Sequence, residues 1–219
     1  MIYKIAARKK LDTNDFIAGT IAPLGTSIGV GLTLEGLNKD NGTANYDAIK
    51  QNLATSATPT YTNIREHTQN RSGAGYLPAE KTLILPKNSQ DAIIAHEMAH
   101  STSKYINHPL GQTAYGVGKL MSLGAGSVYG ALKGARGESM DKKEMALSLI
   151  PSLGFLPEET RANLIAAKTI YKMKGAKGLL AATPILLASE GSYLTGAAAP
   201  IIANKVSKYF YDKKHKKKK

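Results

Sequence analysis

Two histidines four positions apart, with a glutamate directly after the first, close an apolar run: Ala92-Ile93-Ile94-Ala95 leads into His96-Glu97-Met98-Ala99-His100. Residues four apart lie on one face of an α-helix, one turn above each other, so a helix here presents two ring nitrogens to a single point. The chain has no cysteine, which removes both a disulfide framework and a thiolate metal site. A metal in this protein must be held by His, Asp or Glu. Zinc (Zn2+) takes nitrogen ligands at roughly 2.0–2.1 Å, and catalytic zinc sites use three protein ligands and a water. Glu97, beside the first histidine, is placed to act as a general base on that water. Ala99 leaves room next to the ion.

The surroundings agree with a helix at this point. Lys81 to Leu85 is a short apolar run ending at Pro86 and reads as a strand. Asn88 or Ser89 is the expected cap of a helix that begins at Gln90 or Asp91 and runs through the histidines. A third ligand is needed, and Leu156-Pro157-Glu158-Glu159-Thr160-Arg161-Ala162-Asn163 offers candidates. A helix starting after Pro157 carries Glu159 and Asn163 on one face. Glu158 competes with Glu159, and both also suit a solvated first turn favoured by the helix dipole. Only Glu159 has an Asx residue four positions on, which favours it.

The segment Glu159-Thr160-Arg161-Ala162-Asn163 resembles the ExxxD signature of gluzincin peptidases, including membrane peptidases of the HtpX and CaaX-protease type. The resemblance covers roughly residues 78 to 203. It implies Glu159 as the third zinc ligand, with Asn163 standing where the family has an Asp that supports a metal-bound histidine. Asn for Asp is a departure, because a neutral amide is a weaker partner than a carboxylate. The metzincin pattern is absent, since position 103 is Ser and position 106 is Ile, and His108 remains only a distant alternative ligand. In texture the Gly/Ala-rich segments, among them Gly191-Ser192-Tyr193-Leu194-Thr195-Gly196, are similar to small HExxH proteins of tailed bacteriophages. That likeness implies a viral or bacterial source and packaging in a particle.

Along its 219 residues the chain reads as one domain with appendages. Residues 1–37 form an N-terminal segment in which positions 16 to 34 carry no charge but hold four Gly, three Thr, one Ser and one Pro. Its length suits a bilayer crossing and its composition suits a buried or peripheral segment equally well. Asp12 and Asp15 interrupt what would otherwise be a secretory leader, so export by a cleaved signal is not expected and an intracellular, virion-associated or membrane-associated protein is. Residues 38–77 are polar and rich in Asn, Thr and Gly, and read as a linker with modest helical patterning at Tyr46 to Leu53. Residues 78–204 form the zincin-like metallopeptidase domain. Within it Gly118, Ser122, Gly126, Gly130 and Gly134 recur every fourth residue and make a small-residue stripe that admits a close helix neighbour. The fold class is mainly α: a zincin-like metal helix after a short strand, with Gly/Ala-rich packed helices and an association with membranes.

The net charge is +13, and residues 205–219 supply +7 of it with eight Lys against one Asp. Lys213, Lys214 and Lys216 to Lys219 should form a solvated extension. As a ligand surface it suits phosphate, either anionic lipid or nucleic acid, and Tyr209 to Tyr211 before it suit a membrane interface. The leading expectation is zinc-dependent hydrolysis of a polypeptide, with Glu97 as base, the strand Lys81 to Leu85 as the edge that pairs with substrate, and Tyr193 or Tyr171 as oxyanion donor. The alternative is a structural or membrane-active virion-type protein whose zinc only staples helices, and its support is the amount of small-residue apolar helix.

Overall fold

The apolar run before Pro86 becomes the middle of a sheet. The computed structural model describes residues 13–22, 46–67, 74–87 and 89–216. Among them are strands β1 (Asn63–His67), β2 (Gly75–Leu77) and β3 (Thr82–Pro86), in the order β1-β3-β2. β1 runs parallel to β3, with Asn63 opposite Thr82, and β2 runs antiparallel to it, with Gly75 opposite Ile84. Lys81 belongs to the turn before β3 and has a left-handed φ of 47°. The strand expected to be a free edge is therefore flanked on both sides, and the face that carries Leu83 and Leu85 is completely buried in the core.

The helices are α1 (13–22), α2 (Tyr46–Asn52), α3 (Asp91–Ser101), α4 (Pro109–Leu120), α5 (Ser127–Gly134), α6 (Lys142–Leu149) and α7 (Leu156–Lys216). A π-helical turn, Met121–Gly126, links α4 to α5, and a 3-10 turn, Ile150–Gly154, precedes α7. The expected linker 38–77 thus contains α2, β1 and β2, and α2 sends Ile49 into the core. Polar composition misled there because these short elements bury little: Ile49 is the one buried residue of α2, and β1 is exposed from Asn63 to Glu66.

Two compact units divide the described chain, and each draws on distant stretches of sequence. The first comprises 46–67, 74–87, 89–118 and 153–194. Its core gathers Leu83 and Leu85 of β3, Ile94, Ala95, Met98 and Ala99 of α3, and Ala162, Ile165, Ala166 and Ile170 of α7. α3 is buried nearly all round, as a central helix must be, and takes His96, Glu97 and His100 into the interior with its apolar residues. Its N-cap is Gln90, in extended conformation and without a side-chain cap bond; Ser89 instead donates to the Pro86 carbonyl, and Asn88 lies outside the described residues. Asp91 in the first turn meets the dipole and pairs with Lys174.

α7 is not one rod. Gly175 has φ 65° and ψ −164°, a left-handed conformation that glycine adopts without a Cβ penalty. The helix stops there and restarts, and its second limb folds back on the first, since Glu190 bonds Thr160 and Asn163. By length and composition α7 is apolar enough to cross a membrane, and 28% of its most apolar window is buried inside the protein.

The second unit comprises 13–22, 119–152 and 195–216. Here the small-residue stripe has its partner. A Cβ on Gly130 would sit 2.0 Å from the Pro200 carbonyl oxygen, and one on Gly134 would sit 2.3 Å from that of Asn204. The amide of Asn204 adds hydrogen bonds to the carbonyls of Gly130 and Glu138. α6 opens with a capping box in which Asp141 and Glu144 exchange side-chain and backbone bonds. The basic tail is helical through Lys216, with Lys208 paired to Asp212 one turn on and Lys213 and Lys214 exposed; Lys217 to Lys219 lie outside the described residues. Of the uncharged segment 16–34, residues 16–22 are helical and the rest lie outside the described residues.

Candidate metal centre

Helix geometry alone puts the two histidines on one face of α3, and the fold supplies what they face. His96 Nε2 and His100 Nε2 are 3.1 Å apart, and the Oε2 of Glu159 lies 3.3 Å from the first and 3.2 Å from the second. Ligands each about 2.0–2.1 Å from an ion at tetrahedral angles stand roughly 3.3 Å from one another, so the triangle has the size a zinc-like cation requires. All three side chains are buried, Glu159 completely. Together they form a group able to hold a metal ion.

The far sides of both rings are held as well. His96 Nδ1 is 2.9 Å from Asn163 Oδ1, and His100 Nδ1 is 3.1 Å from Glu158 Oε1. Both oxygens are acceptors here, so each Nδ1 carries a proton, and Nε2 is the nitrogen each ring can offer to the shared point once the ring is neutral. Glu158, the competing ligand, is thereby engaged on the other side of His100. Its second oxygen accepts from Ser103 Oγ at 2.8 Å, and Arg161 grips both oxygens while also reaching the Ala99 carbonyl. Burial alone would raise the Glu158 carboxyl, but the bonds from His100 and Arg161 outweigh it and hold it below the usual range. For His100 burial acts downwards, and its bonds to Glu158 and Glu159 overcome that and push it up to about 9.

Glu97 is buried on α3, and its charge is felt at His100 and at the phenols of Tyr115 and Tyr193. It therefore lies near the cluster without belonging to the ligand triangle. Tyr193 bonds Glu159, and its ring runs parallel to that of His96, with 6.3 Å between centroids. Tyr115 of α4 donates to the Oε1 of Glu159. Burial first, and then the nearby carboxylates, push both phenols well above their ordinary range, so both stay protonated donors. Tyr171 is 56% exposed and lies twelve residues beyond Glu159 on the same limb, roughly 18 Å along the axis, so it is not an oxyanion donor. His108 is exposed in the turn before α4, where its Nδ1 accepts from the Leu110 amide, and it has no part in the cluster.

The charges point the same way as the distances. Glu97, Glu158 and Glu159 are buried near the two imidazoles, and Arg161 bonds Glu158. Buried carboxylates in such excess need a cation or protons. Sequence reasoning missed Tyr115, Ser103, Arg161 and Glu190. Each contributes through a contact between elements, and only Arg161 had a local signal, three residues after Glu158. Neither a protein-family model, nor a curated protein, nor a solved structure matches this chain.

Proposed function

We propose that this protein is a zinc-dependent peptidase whose metal is held by His96, His100 and Glu159. The observation that carries the reading is the buried triangle of donor atoms, each histidine ring held by a hydrogen-bond partner on its far side, Asn163 behind His96 and Glu158 behind His100. Two imidazoles and one carboxylate with no thiolate suit zinc among the divalent ions, and a bound zinc would supply Lewis acidity and lower the pKa of water. Glu97 takes the proton of the attacking water, since it is buried, lies near the cluster and ligates nothing. Tyr193 and Tyr115, both protonated, donate to the oxyanion of the scissile carbonyl when substrate displaces their bonds to Glu159. An extended peptide pairs with β2 rather than β3, because β2 packs on α3 and, among the described residues, has β3 alone as its strand partner. The test is metal analysis of purified protein beside His96→Ala and Glu159→Ala, with cleavage of an unstructured polypeptide measured in parallel. One zinc per chain, lost in both variants together with cleavage, is the expected result; full occupancy in His96→Ala would overturn the assignment.

A second reading, a membrane-docked protein, is supported by one further observation. Leu180, Leu187 and Leu194 recur every seventh residue on the second limb of α7 and are 73%, 67% and 51% exposed. Between Lys177 and Lys205 this limb has Glu190 as its single charged residue, and lysines cluster at both ends. An uncharged outward stripe bounded by basic residues suits the surface of an anionic bilayer. This reading is compatible with the first, since the stripe and the metal centre use different side chains.

A further inference from the structure

A carboxylate in the middle of an apolar helix needs a reason to be there. Glu190 is the sole charged residue in the 27 positions from Gly178 to Asn204, and it points inward. Its Oε1 accepts from Thr160 Oγ1 at 2.8 Å and its Oε2 from Asn163 Nδ2 at 2.6 Å. Those two partners lie on the first limb of α7, so the bonds also hold the hairpin closed around Gly175.

The bond to Asn163 has a chemical consequence. An asparagine amide can present either its oxygen or its nitrogen to a neighbour, and the two orientations are nearly isosteric. A carboxylate accepts only, so Glu190 compels Nδ2 to face it and Oδ1 to face His96. The oxygen then accepts from Nδ1–H, and Nε2 is left as the lone-pair nitrogen. A turned amide would offer N–H to His96 Nδ1 and move the ring proton to Nε2, where it blocks a metal.

We propose that Glu190 is a positioning residue that sets the His96 tautomer, and with it metal affinity, by orienting Asn163. The inference rests on His96, His100 and Glu159 being the metal centre. Glu190 and Asn163 together supply what one aspartate would supply directly: a negative charge aimed at Nδ1, passed through a polarised amide. This explains how an uncharged residue can occupy position 163.

The experiment uses the full chain and zinc with a competing chelator. Glu190→Gln is nearly isosteric but offers N–H as well as oxygen, so it no longer dictates the orientation of Asn163. Zinc affinity should fall roughly 10- to 100-fold, as other changes behind a metal-bound histidine do. Adding Asn163→Asp to Glu190→Gln should bring it back to within a few-fold of wild type, because an aspartate accepts from Nδ1–H unaided. A change that merely loosened the hairpin would not be rescued this way. Nitrogen-15 NMR of His96 in chelator-treated protein gives a second, metal-independent readout: the Nδ1–H tautomer in wild type and a growing share of Nε2–H in Glu190→Gln. Unchanged affinity and tautomer in Glu190→Gln, or loss that Asn163→Asp fails to restore, would overturn the proposal. A wild-type chain with the Nδ1–H tautomer that takes up no zinc would sink the metal centre while the relay to His96 stands, so the two failures are separable.

Discussion

Glu97 and His100 carry the sharpest expectations at the scale of single residues. Glu97 is outside the ligand triangle, so Glu97→Gln should keep one zinc per chain and the fold while lowering turnover by about 10²- to 10⁴-fold, the usual share of a general base. Equal cleavage by both proteins would remove Glu97 from the chemistry. For His100 the sign follows from its raised pKa. In chelator-treated protein its protonation adds stability that is complete below about 6.5, the ordinary histidine value, and fades as pH rises through about 9. Zinc requires the neutral ring, so its affinity should climb across the same window and each binding event should release protons. Calorimetric titration in buffers of different ionisation enthalpy measures that release, and none at pH 7 would contradict the bonds assigned to Glu158 and Glu159. Of this site, His96, Glu97, His100, Glu159 and Asn163 were legible because they fall at helical spacings within two short segments. Tyr115 and Glu190 were not, since 44 residues separate Tyr115 from Glu159 and 27 separate Glu190 from Asn163. No local pattern encodes such pairs.

Elements divide in the same way. α3 and the start of α7 were readable from periodicity, Asp91, Pro157 and the paired glutamates, because local propensity and tertiary burial agree there. β1 and β2 were hidden in a polar stretch: β1 is largely exposed, and β2 is a three-residue strand defined by its partner rather than by its own residues. The small-residue stripe was legible as a contact but not as to its partner. Its energetic content can be measured: Gly130→Ala would drive a methyl into the Pro200 carbonyl, backbone against backbone, and should cost about 1–3 kcal/mol in chemical denaturation. Gly116→Ala, with open space around its Cβ and an ordinary helical φ, should be neutral or stabilise slightly. If the two variants behaved alike, close approach would not be what position 130 requires.

For the whole molecule, the outward leucines of α7 and the basic helix end bear on where the protein works. Binding to vesicles containing anionic lipid should fall steeply with salt and weaken on deletion of residues 213–219, while replacing Leu180 and Leu187 with Glu should abolish it with zinc content unchanged. Binding that survives both changes would locate the affinity elsewhere. The tail's charge could be read directly from sequence, whereas its helical continuation could not, because like-charged lysines oppose a helix that here continues an existing one. A last consequence follows from the turn at Gly175, which is exposed and has open space around it. The three residues able to hold a metal precede this glycine, and Glu190, the carboxylate proposed to steer His96, follows it. The chain is in effect a holder and an adjuster in series, so whatever opens the hairpin at Gly175 parts the second from the first while leaving His96, His100 and Glu159 on one side of the bend.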